Sequence, residues 1–192
     1  MPPLPFKSQT IAVILAVWCA VALMLGAMGV TATLKPPLPQ VILAGLVAML
    51  LAAYRVSAGF RLWIHSIPVA WLVAMHLVRF VGAYFLVLYS RGELPFAFAV
   101  PGGIGDIAVA TLALLLLVTR THSRAFHLAW NCLGSVDILF VVFTAARLAL
   151  QNPESMAALL RLPLCLLPTF IVPLIIFSHG MIFVRLISPR RV

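Results

Sequence analysis

Five ionisable side chains stand inside long apolar runs of this sequence: His76, Arg79, Asp106, Asp137 and His179. In a lipid-solvated helix each charged group costs about 2.5–3.5 kcal/mol at mid-membrane. Such residues are therefore paired with one another or put to use. Arg79 is the cation that can neutralise Asp106 or Asp137, and its long side chain can reach either. A carboxylate able to take up a proton, beside a fixed counter-ion, is the minimum equipment for holding a proton, an ion or a polar solute. His76 and Arg79, three residues apart, share one helix face. Helix geometry also sets His76 and His179 at similar depth. Two facing neutral imidazoles would suit a b-type haem or a metal ion.

A second tier surrounds these five. Asn131, Gly134, Asp137 and Thr144 fall within an arc of about 140° at ~100° per residue, giving the helix one polar, small-residue face. Arg147 lies close enough to a helix end to snorkel outward. Pro168 and Pro173 precede Ser178 and His179 in one apolar run, and a proline inside a helix frees the carbonyl one turn earlier. The expected solute- or ion-binding site is thus His76, Arg79, Asp106, Asp137 and His179, with Asn131, Thr144 and Arg147 as secondary members. His76 and His179 are the ligands if haem or another metal is bound.

The elements that must carry these residues follow from composition. Of the 192 residues, 64% are hydrophobic and 9% charged. Soluble domains carry about 25% charged residues, so this chain cannot cover a water-facing surface. Cutting the apolar runs at charges and prolines, and requiring ~20 residues to cross ~30 Å of hydrocarbon, gives six spans. They are Gln9–Thr33, Leu38–Tyr54, Ser66–Tyr89, Pro101–Thr119, Phe126–Leu150 and Pro163–Ile187. The expected fold is an all-α, polytopic transmembrane helical bundle, a single domain over residues 1–192. The first run exceeds the 7–15 apolar residues of a signal peptide and reads as an uncleaved span.

With six spans, Lys7, Arg55, Arg61, Arg120, Arg124, Arg185, Arg190 and Arg191 fall on the side of the termini. Lys35, Arg91, Arg147 and Arg161 fall on the other. That bias places both termini in the cytoplasm. Compact loops and the lack of organelle-targeting features fit a bacterial inner membrane. Tyr54, Trp63 and Trp130 are expected near the cytoplasmic interface and Tyr89 near the outer one, with His65, His122 and His127 at the cytoplasmic edge. Ala22 with Gly26, and Ala44, Ala48 and Ala52, form small-residue stripes that let helices approach closely.

Other chemistries find little footing. The formal charge of +9 would suggest nucleic acid in a soluble protein, but no basic cluster with interleaved aromatics exists. Cys19, Cys132 and Cys165 show no metal or disulfide spacing, and neither HxxxH nor HExxH occurs. There is no GxSxG and no base with an orienting partner for a nucleophile. "GIGD" (Gly103–Asp106) matches half of the aspartyl intramembrane protease pattern, but Asp137 follows valine where the pairing needs tyrosine. "GGIGD" lacks the strand that a phosphate-binding loop requires. The reading leans away from an enzyme. It favours a small transporter-like or solute/ion-binding membrane protein; a haem- or metal-binding redox subunit and a non-catalytic assembly subunit are the alternatives. The expected partners are the lipid bilayer, a small solute, ion or proton, and further copies of the chain or a larger membrane complex.

"AVPGGIGDIAV" (Ala99–Val109) is the hardest stretch to place. A helix starting after Asp106 would be about 20 Å long, too short to cross. Asp106 therefore lies within the span. Either Pro101 opens the helix, the simpler arrangement, or "PGG" is a break within the membrane.

Overall fold

The computed structural model describes residues 8–121 and 123–187. The described residues form helices joined by short connections, without strands. Six helices are long and apolar enough to cross a membrane: α1 (Ser8–Ala27), α2 (Leu38–Val56), α4 (Val69–Ser90), α5 (Phe96–Val118), α6 (Arg124–Gln151) and α7 (Leu167–Ile187). A short helix, α3 (Ala58–Ser66), and a 3-10 segment, Pro153–Leu160, occupy two of the connections. Lys7, His122, Arg190 and Arg191, which entered the charge count and the interfacial assignments, lie outside the described residues.

Local chemistry sets the helix ends. Gly29 (φ 72°) and Gly92 (φ 73°) adopt the left-handed conformation just past α1 and α4. In each case the next amide reaches back five residues, Val30 N to Leu25 O and Glu93 N to Leu88 O, closing a Schellman turn. This is why α1 stops at Ala27 rather than running to Thr33. The Ser57 and Ser123 hydroxyls accept from Phe60 N and Phe126 N and cap α3 and α6. At the end of α2, Arg61 donates to the Tyr54 and Arg55 carbonyls.

The glycine-rich stretch is neither a helix start nor a break. Pro95, in extended conformation, caps α5, and Phe96 is its first residue. Pro101 sits inside a continuous helix, placing Asp106 in the third turn. Pro101 is the sixth residue of α5, past the first turn, so its missing amide leaves the Ala97 carbonyl without an intrahelical partner.

The chain divides into two compact units, residues 1–68 with 157–177 and residues 69–156 with 178–192. In the first unit, α7 opens with a π-helical turn over Leu167–Ile171. Pro173 cannot bond the Thr169 carbonyl, and the Trp18 indole donates to it at 2.9 Å. Trp18 also meets Phe170 edge-on, with ring centres 5.1 Å apart. Ala22 is buried, and a Cβ on Gly26 would lie 2.6 Å from Cys165 Sγ, so the first small-residue stripe does let α1 pack closely. The second does not. Ala44, Ala48 and Ala52 are exposed, because α2 turns its larger side chains inward and buries Leu50.

In the second unit, α5 buries Phe98, Ala99, Gly102, Gly103, Asp106, Val109, Ala110 and Ala113 at helical spacing. From Val73 onward the buried residues of α4 instead step by three: Val73, His76, Arg79, Gly82, Phe85 and Leu88. For His76 and Arg79 the cause is a 3-10 stretch at its centre, Met75–Val81. At three residues per turn, side chains at i and i+3 lie directly in line.

Candidate functional site

His76 and Arg79 project from that 3-10 stretch, 0% and 2% exposed. The Arg79 guanidinium is bonded through all three of its nitrogens. Nε donates to Asp106 Oδ1 at 2.6 Å, Nη1 to the Gly134 carbonyl at 3.0 Å, and Nη2 to Asp137 Oδ2. The sequence offered Arg79 either aspartate; it holds both. With both carboxylates ionised the trio carries a formal charge of −1. Asp106 is enclosed, whereas the Asp137 side chain keeps 13% of its surface open and forms the rim of the cluster.

Glycines make this approach possible. A Cβ on Gly82 would strike the Gly103 carbonyl and lie 2.8 Å from Asp106 Cβ. One on Gly103 would lie 2.7 Å from the Gly82 carbonyl, and one on Gly105 would collide with the Asp137 carboxylate. Residues of "GGIGD" thus form the surface on which α4 and α6 close around the arginine.

Beside the ion cluster lies a second group of polar side chains. The His76 and His179 rings have centres 4.2 Å apart, tilted by 48°. His76 Nε2 meets Ser178 Oγ at 3.0 Å. Asn131 donates through Nδ2 to the His179 carbonyl at 3.2 Å, which turns its Oδ1 toward His179 Nδ1 at 2.8 Å. That contact requires a proton on Nδ1, so in the neutral ring Nε2 carries the lone pair. Nε2 lies against the Gly134 backbone, where a Cβ would come within 3.1 Å, and makes no aligned hydrogen bond. His76 Nδ1 is also buried without a partner. Buried polar atoms without a partner are uncommon in folded proteins.

Of the remaining expected members, Asn131 and Thr144 are buried, the former as part of the histidine group. Arg147 is exposed and stands apart from the cluster. Trp130, expected near the cytoplasmic interface, is buried within the second unit. Its indole donates to the Val109 carbonyl at 3.0 Å, and its ring meets His76 edge-on at 4.9 Å between centres. It sits two turns inside α6, and that carbonyl satisfies its N–H without water. Tyr54 and His65 pair, Tyr54 Oη to His65 Nε2 at 2.9 Å, at the exposed surface of the first unit.

Two imidazoles binding one haem iron from opposite faces stand with ring centres roughly 6 Å apart, given metal–nitrogen bonds of about 2 Å. At 4.2 Å and tilted, His76 and His179 as placed do not bracket a macrocycle. Among the described residues no three His, Cys, Asp or Glu side chains are grouped to share a metal ion.

Fold and site together define an all-α protein of six membrane-length apolar helices with a buried arginine–dicarboxylate cluster and an adjoining histidine pair. Residues 36–187 match a family model described as "Domain of unknown function (DUF8737)", and the chain belongs to that family. The matched region takes in the whole cluster and leaves α1 outside it. No curated protein and no solved structure matches the chain.

Proposed function

We propose that this is an integral membrane protein, transporter-like in design, that binds a proton or small cation at the Asp106–Arg79–Asp137 cluster. The observation that carries the reading is the charge count. One guanidinium faces two carboxylates among apolar helices, and the residual negative charge must be met by a bound proton or cation, since an uncompensated buried charge is strongly unfavourable. Asp137, at the rim, is the carboxylate through which that ion enters, and Asp106 stays locked to Arg79. His76 and His179 supply the neighbouring nitrogens to which a proton passes.

The charge bias among the connections supports termini on the cytoplasmic side, and a bacterial inner membrane is the setting that fits the compact loops. A purely structural clasp is the competing account. It explains Arg79, which bonds through each of its three nitrogens, but gives no reason to bury His76 Nδ1 without a partner.

The test is infrared spectroscopy of the reconstituted protein, paired with proton uptake into vesicles under an imposed potential. A carbonyl-stretch band of a protonated carboxyl is expected, lost in Asp137→Asn together with uptake. If wild type shows neither band nor ion-dependent change across a titration from mildly acid to mildly alkaline, the reading is wrong.

A further inference from the structure

The end of α5 and the start of α6 enclose a cleft of about 590 Å³, within the size range of small-molecule sites. Leu112, Leu115, Leu116, Phe126 and Leu133 line its length, with Trp130 as its floor. Leu112, Leu115, Phe126 and Leu133 are exposed, so the cleft opens sideways, toward lipid in a membrane-inserted chain. Thr119 and Thr121 line its mouth. In the chain Arg120 lies between these two threonines and Arg124 follows three residues after Thr121, both exposed. The only ion pairs among the described residues belong to Arg79, so neither of these arginines has an acidic partner. Arg120 moreover takes the left-handed conformation, φ 48°, at a helix end where glycine is the unstrained choice.

From apolar depth through hydroxyls to two cations, the cleft repeats the polarity of an anionic phospholipid: acyl chain, glycerol esters, phosphate. Between Leu112 and Arg120 it runs about 12 Å at ~1.5 Å per residue, close to the ~15 Å of one leaflet's hydrocarbon. We propose that this cleft is a binding site for one anionic phospholipid, its chain against Trp130 and its phosphate between Arg120 and Arg124. The proposal depends on membrane insertion but not on the buried ion site. On the expected topology the mouth faces the cytoplasm, where basic segments beside helices recruit anionic headgroups.

Native mass spectrometry of the full chain, presented with equimolar phosphatidylglycerol and phosphatidylcholine, reads this directly. One retained lipid is expected, with phosphatidylglycerol preferred by roughly fivefold for each arginine engaged. Arg120→Gln with Arg124→Gln should erase the preference, and Arg120→Lys with Arg124→Lys should keep it. Ala129→Trp, which fills the cleft, should remove the retained lipid of either kind, and inorganic phosphate should not compete. Equal retention of the two lipids by wild type overturns the proposal. So does a preference surviving the double glutamine variant, or a lipid still retained by Ala129→Trp. Should the glutamine variant fail to accumulate, the lysine and tryptophan variants decide the matter alone.

Discussion

In the first unit, α1 and the π-helical opening of α7 meet through one indole and one proline-freed carbonyl, with a buried alanine, a glycine and aromatic edges around them. In the second, α4, α5 and α6 meet through glycine backbones packed so closely that charged side chains fill the remaining space. α2 has little that is fully buried, whereas α5 buries eight residues, one of them an aspartate. Apolar packing tolerates adjustment, because neighbouring side chains can repack with little penalty. A buried ion cluster does not, because each partner removed leaves another unpaired. The two units should therefore respond very differently to substitution, and the family match covers all the described residues of the less forgiving one.

The largest effect is expected at Arg79. Arg79→Leu leaves two carboxylates buried without a counter-charge, a loss of about 3–5 kcal/mol. Thermal unfolding in detergent should show a collapse of the midpoint or failure to accumulate. Combining Arg79→Leu with Asp106→Leu and Asp137→Leu should restore most of that stability, since replacing a whole buried ion group by apolar side chains is often neutral. Equal instability of the single and triple variants would contradict the cluster's electrostatic account.

Next come the glycines. Gly105→Ala and Gly82→Ala force a methyl into the Asp137 carboxylate and the Gly103 carbonyl, for about 1–3 kcal/mol of overpacking each. Smaller again is Trp18→Phe in the first unit, which leaves the Thr169 carbonyl unpaired at a cost of roughly 1–2 kcal/mol. Last is Gly45→Ala on α2, where a Cβ meets nothing within 4 Å. It should be neutral or stabilise by up to about 1 kcal/mol through helix propensity. A Gly45→Ala penalty matching that of Gly105→Ala would erase the contrast between the units.

Much of this was legible in the sequence because long, apolar helices leave little choice. Six apolar runs of sufficient length fall where six helices lie, and ionisable residues inside them have few ways to be neutralised. Arg79 with its two aspartates, and His76 with His179, could be listed together from depth alone. What sequence did not yield was handedness around each helix. The alanines at 44, 48 and 52 carry the spacing of a packing face but point outward, since periodicity marks a stripe without saying which way it turns. Trp130 is a common interfacial residue type, and only the Val109 carbonyl beside it explains burial. "PGG" suggested a helix start or a break because proline and glycine usually mark one; helices that approach this closely need glycine for a different reason.

The 3-10 centre of α4 works like a coarser thread cut into a bolt. Over the seven residues Met75–Val81, α-helical pitch would shorten the segment by about 3.5 Å and unwind it by about 140°. The two halves of α4 would then present different sides, and His76 would leave the line of Arg79 by roughly 60°. The thread, as much as the choice of residues, brings the imidazole and the guanidinium to bear on the same wall.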